Sequence, residues 1–327
     1  MRAWQVVGRG DPGAVMVQAE LDVPEPGAGQ ARIRVAAAGL GLPDVLMCRG
    51  VYPLTPPLPF VCGQEATGTV TAVGDGVDLA VGTKVMGVTM FTHGWGGFAE
   101  ECLVYPGSTV PVPAGLSDVE AAGFWIPHLT AWTGLVDRGR VVAGEVLVVL
   151  GAGGGSGSAA VQLGKALGLR VIAVVGDDDR AALCRALGAD RVIDHRAAPL
   201  RDAILEATDG RGADAVYDPV GGEAGEAAAH ALARHGRLLA IGFASGRWPD
   251  VPAHDLVLTN TSIVGVLAGG YSRAELDDVH AQMSTLIADG ALRATVTRTV
   301  AFEDLPGALQ QLADRAVVGK VAMVTGA

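Results

Sequence analysis

The chain has 327 residues, enough for two domains, and half of them are hydrophobic, which excludes a disordered protein. A net charge of −11 argues against nucleic acid or an anionic membrane as partner, and no apolar run approaches the ~20 residues of a membrane-spanning helix. The 47 glycines follow no collagen period, so they point to tight turns and to backbone that must approach something closely.

In chain order, the first third reads as β-structure. Short apolar runs at 2–7, 15–21 and 31–37 are separated by Gly and Pro. The run 2–7 reads as a strand and not as a signal peptide. A short helix is predicted over 43–49, with Asp44 capping it behind Pro43, and strands follow at 66–73, 84–89 and 98–105. The pattern suggests a compact barrel or sandwich.

From Ser117 helices and strands alternate. The Ser117 to Glu120 spacing makes a capping box, and one helix is predicted over 117–137. Strands are expected at 146–150, 171–175, 192–195, 213–217, 237–243 and 262–267. Helices are expected between them at 156–168, 178–188, 200–208 and 224–235. The fully apolar strand 146–150 suits a parallel sheet buried on both faces, and the alternation implies a doubly wound α/β fold. The tail, with helices at 273–289 and 305–315 and strands at 295–302 and 320–324, either extends that domain or returns to the first.

The strongest chemical signal is Val146-Leu147-Val148-Val149-Leu150-Gly151-Ala152-Gly153-Gly154-Gly155-Ser156-Gly157. A buried strand runs into a glycine loop and then into a helix. Such a turn lets a pyrophosphate touch backbone N–H groups at a helix N-terminus. About 20 residues on, where ribose recognition is decided, stand Asp177, Asp178, Asp179 and Arg180. Asp177 would accept from a ribose 2′-hydroxyl and favour NAD, whereas Arg180 would pair with a 2′-phosphate and favour NADP. Asp178 and Asp179 read as acids serving the helix N-terminus, with Asp177 turned outward. Cys48, Cys62, Cys102 and Cys184 fit no C-x-x-C pattern and are expected as free buried thiols of a cytoplasmic protein.

Several segments together carry a family resemblance. Gly39-Leu40-Gly41-Leu42-Pro43-Asp44, Arg49-Gly50-Val51-Tyr52, the glycine loop with its helix, Asp218-Pro219-Val220-Gly221-Gly222, Ile241-Gly242-Phe243-Ala244-Ser245-Gly246 and Gly319-Lys320-Val321 resemble zinc-independent quinone oxidoreductases. These belong to the medium-chain dehydrogenase/reductase superfamily and include the zeta-crystallin-like proteins. The resemblance implies a GroES-like domain at 1–120, a Rossmann domain at 121–266, and a tail, 267–327, that rejoins the first domain. It implies that Gly151, Gly154, Gly155, Ser156, Gly157, Asp177, Arg180, His195, Val220, Gly242, Phe243, Leu267 and Lys320 bind the cofactor. It implies that Tyr52 lines the cleft beside the nicotinamide. The family often has Asn where Gly41 stands, so water or Thr130 takes over that hydrogen-bonding role. A family Tyr is replaced by His128. Zinc-dependent members carry Gly-His-Glu where this chain has Gly63-Gln64-Glu65, so no zinc is expected.

The expected activity is hydride transfer from NADPH, with NADH as the second option, to a quinone or similar conjugated carbonyl. NADPH is favoured because Arg180 and His195 match phosphate-flanking positions, and because Val175 stands where NAD-specific members carry the ribose-binding acid. The alternatives are an enoyl-thioester or enone reductase with Tyr52 as proton donor, and a non-catalytic NADPH-binding protein like some lens crystallins. The apolar run 262–267 would be an aggregation risk as an edge strand, and the resemblance implies that it pairs with its two-fold mate in a homodimer with one continuous sheet.

Overall fold

The computed structural model describes residues 1–326. It divides into two compact units, Met1–Ile126 joined by the chain from Gly269 onward, and Pro127–Ala268.

The first unit is built on a six-stranded sheet. Its strand order is Val296–Ala301, Lys320–Val324, Ala31–Leu40, Glu65–Val73, Lys84–Thr89 and Glu101–Pro111. The strand Ala31–Leu40 pairs again with Glu101–Pro111, which curls the sheet toward a barrel. Curling buries both faces of its C-terminal half: residues 37–40 are all buried, whereas exposure alternates over 31–36. The core is aliphatic with a few phenylalanines, among them Ile33, Val35, Val70, Phe60 and Phe98. Each such side chain contributes roughly 1.5–3 kcal/mol on burial. The tail belongs to this sheet, since Val321 pairs with Leu40 and Ala322 with Gly39. A small sheet of Met16–Glu20, Arg2–Val6 and Phe60–Val61 completes the unit.

The second unit is a six-stranded, all-parallel sheet. In space the strands run Arg191–Asp194, Arg170–Val175, Val146–Val149, Ala213–Asp218, Leu232–Ala240, Ser262–Gly265. Numbered by sequence this is the order 3-2-1-4-5-6 of the dinucleotide-binding fold. Val146–Val149 is buried at every position, as a central strand covered on both faces must be. Among the described residues no helix is long and apolar enough to cross a membrane.

Three expected elements differ; in one, the helix expected over 224–235 ends at Ala229, and residues 232–235 already belong to the strand Leu232–Ala240. The helix predicted over 117–137 is broken into Asp118–Ala122, Trp125–Trp132 and a π-helical turn, Thr133–Arg138. The Ser117–Glu120 capping box is present. The break falls at Gly123, ahead of Pro127, whose missing N–H is tolerated only in the first turn of a new helix. The last strand stops at Gly265, so the apolar run 262–267 is only partly strand, and Leu267 is 74% exposed.

Candidate active site

The glycine loop follows the first strand of the parallel sheet. Gly151 takes a left-handed φ of 57°, which turns the chain sharply, and the helix Gly155–Ala166 then begins at Gly154 with no side-chain cap. Its first N–H groups are therefore left for a ligand. A Cβ at Gly157 would sit 2.4 Å from the Gly151 carbonyl oxygen and 2.7 Å from the Ala152 Cα, so only glycine lets the helix pack this close to the loop. Ser156 Oγ lies 2.8 Å from the hydroxyl of Tyr217, which is buried on the adjacent strand. Val220 packs against Gly151. Asp218 Oδ1 accepts from the Val220 and Gly221 amides at 2.8 Å each, fixing that turn. Gly242 lies against Pro219, and the Phe243 ring stands 5.0 Å from that of Trp248. The loops thus gather at the carboxyl ends of strands Val146–Val149 and Ala213–Asp218, where the strand order reverses and open α/β sheets bind ligands. Leu267 lies beyond the last strand, and Thr130 lies half-buried on the helix Trp125–Trp132.

A polar cluster sits at the ends of the next two strands. Asp177 caps the helix Asp178–Ala186, accepting from Arg180 N at 2.8 Å, and its carboxylate also pairs with the Arg180 guanidinium. This corrects the expectation that Asp177 turns outward and leaves capping to Asp178 and Asp179. Only the residue before the helix has the extended φ and ψ that aim a carboxylate at the N3 amide. The amide of Arg180 and its guanidinium hold the Asp177 carboxyl below its usual range. The Arg180 stem packs on Gly153, and the His195 ring packs on Gly176. Arg196 forks onto Asp194 with contacts of 3.0 Å and pulls that carboxyl down to about 2. Arg196 was not anticipated. Its only sequence signal is a basic residue next to His195.

The first unit holds a buried acidic cluster. Asp44 has no exposed surface and opens the helix Leu42–Arg49. One carboxylate oxygen accepts from Gly41 N at 2.8 Å and the other from Gly63 N and Gln64 N at 3.2 Å each. Asp44 is thus the expected cap, with a second partner loop added. Burial pushes its carboxyl up to about 7 against the pull of the Gly41 amide and Lys320. Glu65, 2% exposed, accepts from Ile126 N at 3.0 Å and forms a buried ion pair with Lys320. The Lys320 ammonium is therefore committed within the first unit. Gln64 is 8% exposed and its Nε2 is buried. The Gln64 amide stands near the Tyr52 hydroxyl, whose pKa burial raises and Gln64 lowers.

An amide side chain is a poor zinc ligand, and the acid beside it is occupied by Lys320. Among the described residues no group of three or more His, Cys, Asp or Glu is placed to hold a metal ion. The residues at this position do not fit a catalytic zinc. The glycine loop does fit a dinucleotide, through its uncapped helix end and the close approach at Gly157.

Residues 27–114 match the family model of the alcohol dehydrogenase GroES-like domain, and residues 155–286 that of the zinc-binding dehydrogenases. The chain is 30% identical over 317 residues to a quinone oxidoreductase-like protein 2 homolog of Nematostella vectensis, covering 95% of this chain and 86% of that one. It is 36% identical over 255 residues, 73% of this chain, to a stretch amounting to 11% of a phenolphthiocerol/phthiocerol polyketide synthase of Mycobacterium tuberculosis. The crystal structure of Escherichia coli quinone oxidoreductase complexed with NADPH superposes with a TM-score of 0.92 at 26% identity, covering 99% of this chain and all of that one. The chain belongs to the zeta-crystallin-like quinone oxidoreductases of the medium-chain dehydrogenase/reductase superfamily, and is an NAD(P)H-dependent oxidoreductase.

Proposed function

We propose that this protein transfers a hydride from NADPH to a quinone or a similar conjugated carbonyl. The observation that carries the reading is the glycine loop at the point where the strand order reverses, opening onto an uncapped helix. NADPH, when bound, supplies the hydride and leaves as NADP+; the reduced acceptor takes one proton at oxygen, which solvent can supply. Gly151, Gly154, Gly155, Ser156 and Gly157 hold the pyrophosphate, and Val220, Gly242, Phe243 and Leu267 flank the cofactor. Arg180 and His195 face the 2′-phosphate, with Arg196 as a further cation nearby. Charge-assisted bonds to phosphate contribute about 1.5–3 kcal/mol each. Asp177 opposes this. At an effective dielectric near 20, a unit charge about 6 Å from the phosphate repels it by about 3 kcal/mol. Its ion pair with Arg180 reduces that repulsion.

Lys320 acts through Glu65 on the first unit, and Tyr52 supplies a hydroxyl for the acceptor carbonyl. A second reading has one specific support. The likeness to a polyketide synthase segment suits an enoyl-thioester reductase with Tyr52 as proton donor. Assays on quinones and on crotonyl thioesters with wild type and Tyr52→Phe separate the two. Loss of thioester turnover alone supports the second reading. NADPH binding without turnover on any acceptor would leave a cofactor-binding protein.

We further propose a cytoplasmic homodimer. The four described cysteines are free and buried. The edge strand Ser262–Gly265 is incompletely covered, and Val257, Leu258 and Leu267 beside it are 74–78% exposed. Light scattering at micromolar concentration should give twice the chain mass; a monomer would contradict this.

A further inference from the structure

We propose that Arg196 determines the preference for NADPH, its guanidinium leaving Asp194 and forking onto the adenosine 2′-phosphate; this rests on the NADPH reading of the site. Strand register places the residue there. Asp194, the last residue of the strand Arg191–Asp194, pairs in parallel with Val175, the last of Arg170–Val175. The two chains run on side by side, since His195 N donates to Val175 O at 3.1 Å and the His195 ring lies against Gly176. The next residues are Arg196 and Asp177. Arg196 therefore comes level with the position, just past the second strand, at which a dinucleotide-binding sheet reads the ribose 2′-substituent. Arg196 also helps hold the Asp177 carboxyl below its usual range, which agrees with that placement.

Arg180 and Arg196 differ in their freedom to move. Arg180 packs its stem on Gly153 and pairs with Asp177. Asp177 also caps the helix Asp178–Ala186, so it cannot turn away without uncapping that helix, and it needs Arg180 as counter-ion when a phosphate arrives. The Arg196 side chain is 59% exposed and that of Asp194 42%, so both stay hydrated when they part, and an exposed ion pair contributes little. A phosphate offers the same fork an acceptor with more charge and a matching geometry. The turn does not depend on the guanidinium: Asp194 Oδ1 accepts from Arg196 N at 2.9 Å, and the Asp194 carbonyl accepts from Ala197 N at 3.1 Å. The main chain under Arg196 is thus set beforehand, and the side chain alone exchanges partners. NADH, which lacks the phosphate, leaves Arg196 on Asp194.

The test is the binding of NADPH, NADH and 2′,5′-ADP to the wild type, Arg196→Gln and Asp194→Asn, followed by nucleotide fluorescence and calorimetry. Arg196→Gln should lower the affinity for NADPH and for 2′,5′-ADP by about 10- to 100-fold and leave that for NADH within about threefold of wild type. A fall under tenfold for NADPH, or a fall beyond threefold for NADH, overturns the assignment; the second result is what a role in the turn alone would give. Asp194→Asn keeps an acceptor for the Arg196 amide and removes the competing carboxylate. It should bind NADPH about three- to tenfold more tightly, with NADH unchanged. An NADPH affinity less than threefold above wild type overturns the exchange of partners. A wild type that binds NADH but neither NADPH nor 2′,5′-ADP overturns the NADPH reading itself.

Discussion

The two units hold polar groups in opposite ways. The glycine loop in the second unit presents backbone amides at a helix end and carries no charged side chain itself, with the carboxyl of Asp218 buried in the neighbouring turn. The first unit buries two carboxyl side chains and one ammonium, Asp44, Glu65 and Lys320, each 7% exposed or less. Backbone donors cost nothing to desolvate until a ligand replaces water, so the loop depends on close packing. Buried charges are stable only as a complete set, so the acidic cluster depends on pairing and on pH. The glycine loop should therefore break under added volume, and the acidic cluster under removed charge.

The largest effect is expected from Lys320→Met, which leaves Glu65 buried and uncompensated. Urea unfolding should show a loss of about 3–5 kcal/mol, with at least half recovered in Lys320→Met/Glu65→Gln. A double variant as unstable as the single one would mean that packing, not charge, holds this region. Next comes Gly157→Ala. Its Cβ, 2.4 Å from the Gly151 carbonyl oxygen, must push the helix off the loop, and fluorescence titration should show NADPH affinity reduced about 100-fold. Unchanged affinity would mean that the loop is not the pyrophosphate site.

The pH response sharpens the contrast. Asp44 is raised in the folded state from the usual 3.8 to about 7, so the folded chain binds more protons than the unfolded one between those values. Stability therefore falls as pH rises across that window and levels off above it. Relative to wild type, Asp44→Asn should gain about 1–3 kcal/mol between pH 5 and pH 8 in urea unfolding. No relative change would mean that Asp44 titrates at its ordinary value. The smallest effect is on cofactor choice. Asp177→Ser should raise the kcat/KM ratio of NADPH to NADH about tenfold, and Arg180→Ala should lower it by a similar factor. A wild-type preference for NADH that Asp177→Ser reverses would give Asp177 the deciding role.

The two regions also differ in how much of each is legible in the sequence. The glycine loop is local: strand, turn and helix lie within about 20 residues, and the apolar run 146–150 and the following glycines declare themselves. Gly123 and Pro127 are visible too, yet helical periodicity on both sides hides the break between them. The role of Asp177 escapes a sequence reading because three successive Asp residues offer three capping candidates, and only backbone dihedrals choose among them. In the first unit Gln64 and Glu65 stand out only as a departure from a metal-binding pattern. Their partners come from sheet register: Gly39 pairs with Glu65 on one side and with Ala322 on the other, which brings the Lys320 strand to Glu65. No local pattern encodes that meeting.

The central claim is tested most directly by the initial rate of NADPH oxidation by the purified protein, with 1,4-benzoquinone and crotonyl thioester as alternative acceptors and NADH as alternative donor. The account predicts quinone-dependent oxidation of NADPH, with kcat/KM higher than for NADH and higher than for the thioester. Turnover of the thioester with no quinone reduction, or tight NADPH binding with no turnover on either acceptor, would contradict it.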